Sequence, residues 1–346
     1  MLTKDSKSII KFIENNFKIS NKGFNELKLL YNKLNNVKNN YKIIKFKMNE
    51  NENNLIFENP FVSDEIKKKV RTLKYNCNII IKINNINTIN INIYHNENNN
   101  IKSFIENIIT VISYICNLLN KNIGKMNINY YLTDFKKNID NNIDDGLKHG
   151  HINNGCCSPM TNTIDIWRKE EIMKVTIHEM IHLFNCDKTI NDTSSIIKMY
   201  QERYKINSIN VNTFEAYTEI WANILNSFIL SNTYNDFILY INLEKEWCKF
   251  QSKKIFYITN LNKNIIDINK YTNVLAYFII RCELYNNFKE FIKLFYNNIC
   301  CNSSNYFKFL KNLNKCKRQD KLIKNINKKN YIYKTLRMSA IEYKLI

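Results

Sequence analysis

Residues 163–184 read TIDIWRKEEIMKVTIHEMIHLF, and this stretch decides the fold. Its first part predicts a short strand from Thr163 to Arg168. The rest is dense in apolar residues, and Glu170 and Glu171 stand where the first turn of a helix favours negative charge. We therefore expect a strand followed by a buried helix.

The chain before this stretch predicts two helices and a small sheet. Apolar spacing over residues 8–36 indicates two helices that flank Gly23. From Tyr41 to about Tyr94 the pattern changes to alternation, in KIIKFKM, in NLIFEN and above all in NIIIKINNINTININIY. The polar run His95–Asn100 is the best candidate for a boundary. After it we expect one amphipathic helix from Ile101 to Leu119 and a strand in MNINYYLTDF.

The chain after this stretch reads as helical. Apolar and aromatic residues recur at intervals of three and four positions, which is typical of helices. The expected helices are 194–205, 213–231, 234–252 and 271–298. The fold class is therefore α+β.

Composition narrows the class of protein. The chain has 346 residues, of which 45% are hydrophobic and 24% charged, and this excludes a wholly disordered chain. The net charge of +20 allows a polyanionic partner such as nucleic acid. No basic run has the pattern of a nucleic-acid-binding module, so a solvated, lysine-rich surface is the alternative.

Cysteine usage and hydropathy indicate a soluble cytoplasmic protein. The ten Cys include no C-x-x-C pair, so we expect reduced thiols. The N-terminus has no signal-peptide pattern, and nowhere do about eighteen apolar residues run together. We therefore expect no membrane segment.

Residues 178–182 read His-Glu-Met-Ile-His, the H-E-x-x-H arrangement of zinc hydrolases. On a helix, His178 and His182 lie one turn apart on one face, so both imidazoles can bind a single Zn²⁺. Glu179 can then act as general base and accept a proton from a metal-activated water. The alternative is a pair of core histidines, although a buried Glu beside them would be costly without a metal.

A catalytic zinc site needs a third protein ligand. The metzincin extension is excluded, because it requires Gly and His where this chain has Asn185 and Lys188. Asp187 is a weak candidate that we expect to help end the helix.

The segment NTFEAYTEIWANIL offers Glu215 and Glu219, one helical turn apart. It resembles the gluzincin pattern, in which a second helix supplies a Glu ligand and, four residues later, an acid that bonds a liganding His. That resemblance assigns Glu215 to the metal and Glu219 to the shell behind it. Gluzincins usually have Asp at the later position, so the two roles could be exchanged.

Several segments resemble uncharacterised zinc metallopeptidases of large nucleocytoplasmic DNA viruses, and the A/T-rich composition would suit an insect poxvirus. The resemblance covers roughly residues 100–235, with a further weak match at LRMSAIE near the C-terminus. The segments are NINYYLTDFKK, HINNGCCSP, NTIDIWRKEE, VTIHEMIHLF and FEAYTEIWA.

This resemblance implies a zincin-like core with a small twisted sheet, the H-E-x-x-H helix and an edge strand that can pair with a peptide substrate. The edge would be NTIDIWR or HINNGCCSP. Either His149 or His151 would stabilise an oxyanion, or both are ordinary loop residues. Arg337 would clamp a substrate carboxylate or pair with a helix terminus.

The expected organisation has three regions. They are a helix-plus-sheet region at 1–100, a zincin catalytic core at 101–232 and a helical subdomain at 233–346. The expected function is a zinc metallopeptidase that acts on a protein or peptide. The alternatives are a basic viral structural or nucleic-acid-associated protein with a structural zinc, and a zinc hydrolase of a different substrate.

Overall fold

The structure is a computed structural model that describes residues 1–50, 57–84, 86–96, 101–139, 146–187, 190–259, 267–316 and 321–345. Within them the chain is a mixture of helices and one mixed sheet, which confirms the α+β class. The helices are α1 Lys4–Asn16, α2 Asn25–Asn35, α3 Asp64–Val70, α4 Ile101–Leu119, α5 His149–Ile152, α6 Ile172–Leu183, α7 Ser194–Tyr204, α8 Thr213–Leu230, α9 Tyr234–Ile258, α10 Arg281–Asn286, α11 Phe288–Phe295, α12 Ser303–Lys311, α13 Lys321–Lys324 and α14 Tyr331–Lys334, with a π-helical segment at Leu275–Ile280. The strands are β1 Lys42–Glu50, β2 Tyr75–Ile83, β3 Asn87–His95, β4 Lys125–Tyr131, β5 Gly155–Ser158 and β6 Thr163–Ile166.

The described residues form two compact units, and both are discontinuous in sequence. The helical unit comprises Met1–Asn32, Asn138–Ile152 and Cys186–Tyr343. The sheet unit comprises Lys33–Lys137, Asn153–Asn185 and Lys344–Ile346. The expected boundaries at 100 and 232 therefore fall inside units.

The sheet has the strand order β1-β2-β3-β4-β6-β5. β3, β4 and β6 run parallel, and β1, β2 and β5 pair antiparallel with their neighbours. Buried and partly exposed residues alternate along β2 and β3, and Ile79, Ile81, Ile89 and Ile91 are fully buried. Burial of each such side chain contributes about 1.5–3 kcal/mol, which explains why the alternation predicts these two strands well.

The polar face of the sheet carries a ladder of amide side chains. Asn92 Nδ2 donates to Asn129 Oδ1 at 2.8 Å, and Asn129 Nδ2 donates to Asp165 Oδ1 at 2.9 Å. Asn78 bonds both Asn90 and Asn92 in the same way. These bonds satisfy polar groups on a face that the surrounding chain partly covers.

Two expected elements differ from the structure. β1 is the outer strand in the described sheet order and is exposed along its whole length, although its alternating sequence predicts a half-buried strand. The expected helix at 271–298 is interrupted at Asn287, where the side-chain amide donates to the Glu283 carbonyl and competes with the helical backbone bonds. Residues 54–56 of the segment NLIFEN and residues 97–100 of the expected boundary lie outside the described residues.

Helix α4 is long and apolar enough to cross a membrane by length and composition alone, which the sequence pattern did not lead us to expect. Its central residues are buried, and it packs against β2 and α6 within the sheet unit. Burial of this kind is that of a helix in the core of the sheet unit.

Candidate metal centre

Helix α6 presents its two histidines to one point. His178 and His182 lie one turn apart, with their Nε2 atoms 3.0 Å apart and their ring planes at 77°. Two ligand nitrogens about 2.0–2.1 Å from a tetrahedral ion stand about 3.3 Å from each other. The two rings are therefore arranged as a bidentate donor.

The start of α6 is anchored by buried charges. Glu171 precedes the helix in a left-handed conformation with φ of 58°, and its carboxylate pairs with Lys137 Nζ at 2.8 Å. The Glu170 carboxylate accepts the Lys137 backbone N–H at 2.6 Å. The two acids thus stand just before the helix, and not within its first turn as the sequence predicts, because α6 begins only at Ile172.

Glu179 lies against the last strand of the sheet. Gly155, the first residue of β5, approaches α6 so closely that an added Cβ would lie 3.1 Å from Glu179 Oε1 and 2.9 Å from Val175 Cγ1. The close approach needs a residue without a side chain. The concentration of glycines in the sequence marks this loop. It does not predict that Gly155 contacts Glu179.

Glu215 lies in the first turn of α8 and is held there by amides. Asn273 Nδ2 donates to Glu215 Oε1 at 3.1 Å, and Asn212 Nδ2 donates to Asn273 Oδ1 at 2.7 Å. Asp192 accepts a hydrogen bond from the Thr213 backbone N–H at 3.0 Å. It thereby pairs one of the N–H groups at the start of α8 that have no partner within the helix. No sequence signal points to Asn273, which is 58 positions from Glu215.

Three of the expected ligands come together. One ligand atom from each of His178, His182 and Glu215 lies within 4.8 Å of the other two, so this group could hold a metal ion. Two imidazole nitrogens and one carboxylate oxygen form a donor set with a vacant fourth position in tetrahedral geometry. The side chains present therefore fit a divalent cation.

Glu219 has a structural partner that the sequence did not predict. Its Oε1 accepts a hydrogen bond from Arg281 Nη1 at 3.0 Å, and both side chains are fully buried. Arg281 Nη1 also donates to the Met338 carbonyl at 2.9 Å. Glu219 thus ties α8 to α10 and to the C-terminal segment, while its expected bond to a liganding His stays a prediction.

The other candidate residues, His149, His151 and Asp187, lie among the following contacts and environments. His151 is buried and accepts the Lys148 N–H at Nδ1, and burial lowers the pKa of His149 below its usual value. Asp187 follows α6 and accepts a hydrogen bond from Thr218 Oγ1 at 3.4 Å. The position of Lys188 lies outside the described residues.

Arg337 is enclosed in the helical unit. It is fully buried, pairs with Glu342 at 3.3 Å and donates to Ser6 Oγ at 3.2 Å. A guanidinium without exposed surface meets a substrate only if the C-terminal segment moves. The contact with Ser6 joins Arg337 to the first turn of α1, as the helix-terminus alternative predicts, while its acidic partner Glu342 lies in the C-terminal segment outside any described helix.

Comparison with known proteins gives one distant viral relative. The chain is similar to the uncharacterised protein R210 of Acanthamoeba polyphaga mimivirus, with 28% identity over an alignment of 291 positions. The match covers 75% of this chain and 72% of the relative. No protein-family model matches the chain. No solved structure matches it.

Proposed function

We propose that this protein is a zinc-dependent metallopeptidase. The observation that carries the proposal is the convergence of His178, His182 and Glu215, with Glu179 next to the first histidine on the same helix. Two His and one Glu are the donor set of several catalytic zinc sites, whereas structural zinc sites are rich in Cys and leave no open position.

Glu179 is the general base of the proposed reaction. A bound zinc ion would supply Lewis acidity, which polarises the scissile carbonyl and lowers the pKa of the attacking water. The Glu179 carboxylate accepts the proton that the water loses and delivers it to the amide nitrogen of the leaving group. Asn273 holds one oxygen of Glu215 by its amide and thereby orients the carboxylate.

Strand β5 supports a peptide as the substrate. It is the last strand in the described sheet and pairs with β6 on one side. An extended peptide could pair with the other edge of β5 through main-chain hydrogen bonds, which do not depend on the side chains of the peptide. Because Gly155 of this strand lies beside Glu179, such a peptide would run past the general base.

The cysteines support action in a reducing compartment such as the cytoplasm. All ten are free thiols in the structure, which is the usual state of cytosolic proteins.

The metal is tested by elemental analysis of the purified full-length protein. We expect about one zinc per chain in the wild type and its loss in His178→Ala and Glu215→Gln, since each change removes a ligand. Glu179→Gln is the matched control, because it alters the same helix but removes no ligand.

The activity is tested by comparing cleavage termini in a cell proteome treated with wild type or Glu179→Gln. New termini that require Glu179 are expected. If both proteins retain zinc and produce identical termini, the zinc site is structural and the peptidase proposal is wrong.

A further inference from the structure

Two cysteines of the helical unit lie sulfur to sulfur. Cys186 Sγ and Cys300 Sγ are 2.8 Å apart, although 114 positions separate them in sequence. The backbones are also joined, because the Cys301 N–H donates to the Cys186 carbonyl at 2.7 Å. Cys186 is buried and Cys300 is partly exposed, so a small oxidant has access to one member of the pair.

We infer that Cys186 and Cys300 are a peroxide-sensitive thiol pair that forms an intramolecular disulfide. The Cys300 thiol gives up its proton, and the thiolate attacks one oxygen of hydrogen peroxide. The O–O bond breaks, Cys300 becomes a sulfenic acid, and the departing hydroxide takes up the released proton as water. The Cys186 thiol then gives up its proton and its sulfur attacks the Cys300 sulfur. The S–S bond forms, the S–O bond breaks, and the hydroxide leaves with that proton as a second water. Two electrons pass from the two thiols to one peroxide molecule, so the step balances.

The neighbouring cysteine is a poor competitor. Burial raises the pKa of Cys301 to about 12, against a weaker lowering by the hydrogen bond with Tyr217. Its thiolate is therefore scarce near neutral pH, and thiolate is the reactive form. Cys156 is disfavoured for the same reason, since burial also raises its pKa to about 12.

The disulfide would link two segments that both contact helix α8. Cys186 comes four residues after His182 in the chain, and Asp187 beside it accepts a hydrogen bond from Thr218 of α8. The residue before Cys300 is held by the same helix, because Tyr217 donates to the Ile299 carbonyl at 3.0 Å. A disulfide would link the segment at Cys186 covalently to the segment at Cys300. It would also lower the conformational entropy of the unfolded chain.

The test is peptide mapping of the full-length protein. The protein is treated with hydrogen peroxide, its remaining thiols are alkylated, and its tryptic peptides are analysed by mass spectrometry without reduction. We expect one cross-linked peptide that joins Cys186 to Cys300, lighter by two hydrogen atoms than the sum of the two peptides and cleaved by dithiothreitol. A thermal melt of the oxidised protein should shift upward by a few degrees and return after reduction.

Variants make the assignment specific. Cys300→Ser should abolish the cross-link, and the matched control Cys301→Ser should keep it. Cys186→Ala should leave a sulfenic acid on Cys300 that dimedone traps. A Cys300–Cys301 bond, a cross-link to Cys301 or the absence of any cross-link in the wild type would overturn the inference. None of these readouts depends on zinc or on hydrolysis, so the proposed function is tested separately.

Discussion

Gly155 and Glu179 occupy adjoining space: a Cβ on Gly155 would lie 3.1 Å from the Oε1 atom of Glu179. The same Cβ would lie 2.9 Å from Val175 Cγ1, one helical turn before Glu179. Contacts of this length force a neighbour to move, so the missing side chain determines where the carboxylate of the proposed base stands.

If the proposed function holds, Gly155→Ala is expected to lower the proposed hydrolytic activity and to leave zinc binding unchanged. The added methyl displaces the Glu179 carboxylate, and a base that is misplaced by a fraction of an ångström transfers protons less well. Overpacking should also cost about 1–3 kcal/mol in the free energy of unfolding, measured by urea denaturation.

The double variant Gly155→Ala/Val175→Ala separates these effects. Removal of the valine methyls makes room at the shorter contact and should restore part of the stability. Activity should stay low if the Glu179 contact is responsible. Full recovery of activity in the double variant would show that Val175, rather than Glu179, transmits the effect.

Asn273→Ala is expected to weaken zinc binding about 10- to 100-fold, because Asn273 orients the Glu215 carboxylate through Oε1. Competition with a zinc chelator measures the change. Asn242→Ala is the control, since the Asn242 amide donates to the Ile238 carbonyl within α9 at 2.9 Å. Equal affinities in both variants would contradict the role of Asn273.

Arg281→Met is expected to lower the free energy of unfolding by about 3–5 kcal/mol, since it leaves the buried Glu219 carboxylate without its cation. Chemical denaturation gives the value. In Arg281→Met/Glu219→Gln the loss should be smaller, because the Glu219 charge is then removed together with its cation. Additive losses in the double variant would argue against a direct pair.

Asp165→Asn is expected to stabilise the protein at neutral pH. Burial raises the pKa of Asp165 above its usual value of 3.8, against a weaker lowering by the hydrogen bond from Asn129. The folded state therefore binds the proton more readily than the unfolded chain, so the contribution of this group to stability falls as pH rises through the raised pKa.

Thermal melts of wild type and Asp165→Asn between pH 3 and 7 check the sign. The stabilising difference should be largest at pH 7 and should shrink as both states of the wild type become protonated. A difference that grows at low pH would mean that Asp165 is held ionised in the folded protein.

Much of this protein is determined by the sequence itself. The period of its apolar residues predicts β2, β3, α4 and α6 because each side chain's burial follows from the local geometry of helix or strand. The spacing of His178, Glu179 and His182 likewise places both imidazoles on one helix face, and the spacing of Glu215 and Glu219 places two acids together.

Only the tertiary structure decided the partners of these residues. It placed β5 at the end of the sheet order, brought Gly155 against Glu179, bonded Asn273 to Glu215 and paired Arg281 with Glu219. These contacts join positions that are 24 to 62 residues apart, and no local period encodes them. The packing of whole elements selects them, because a buried polar or charged group is stable only where the fold supplies its partner.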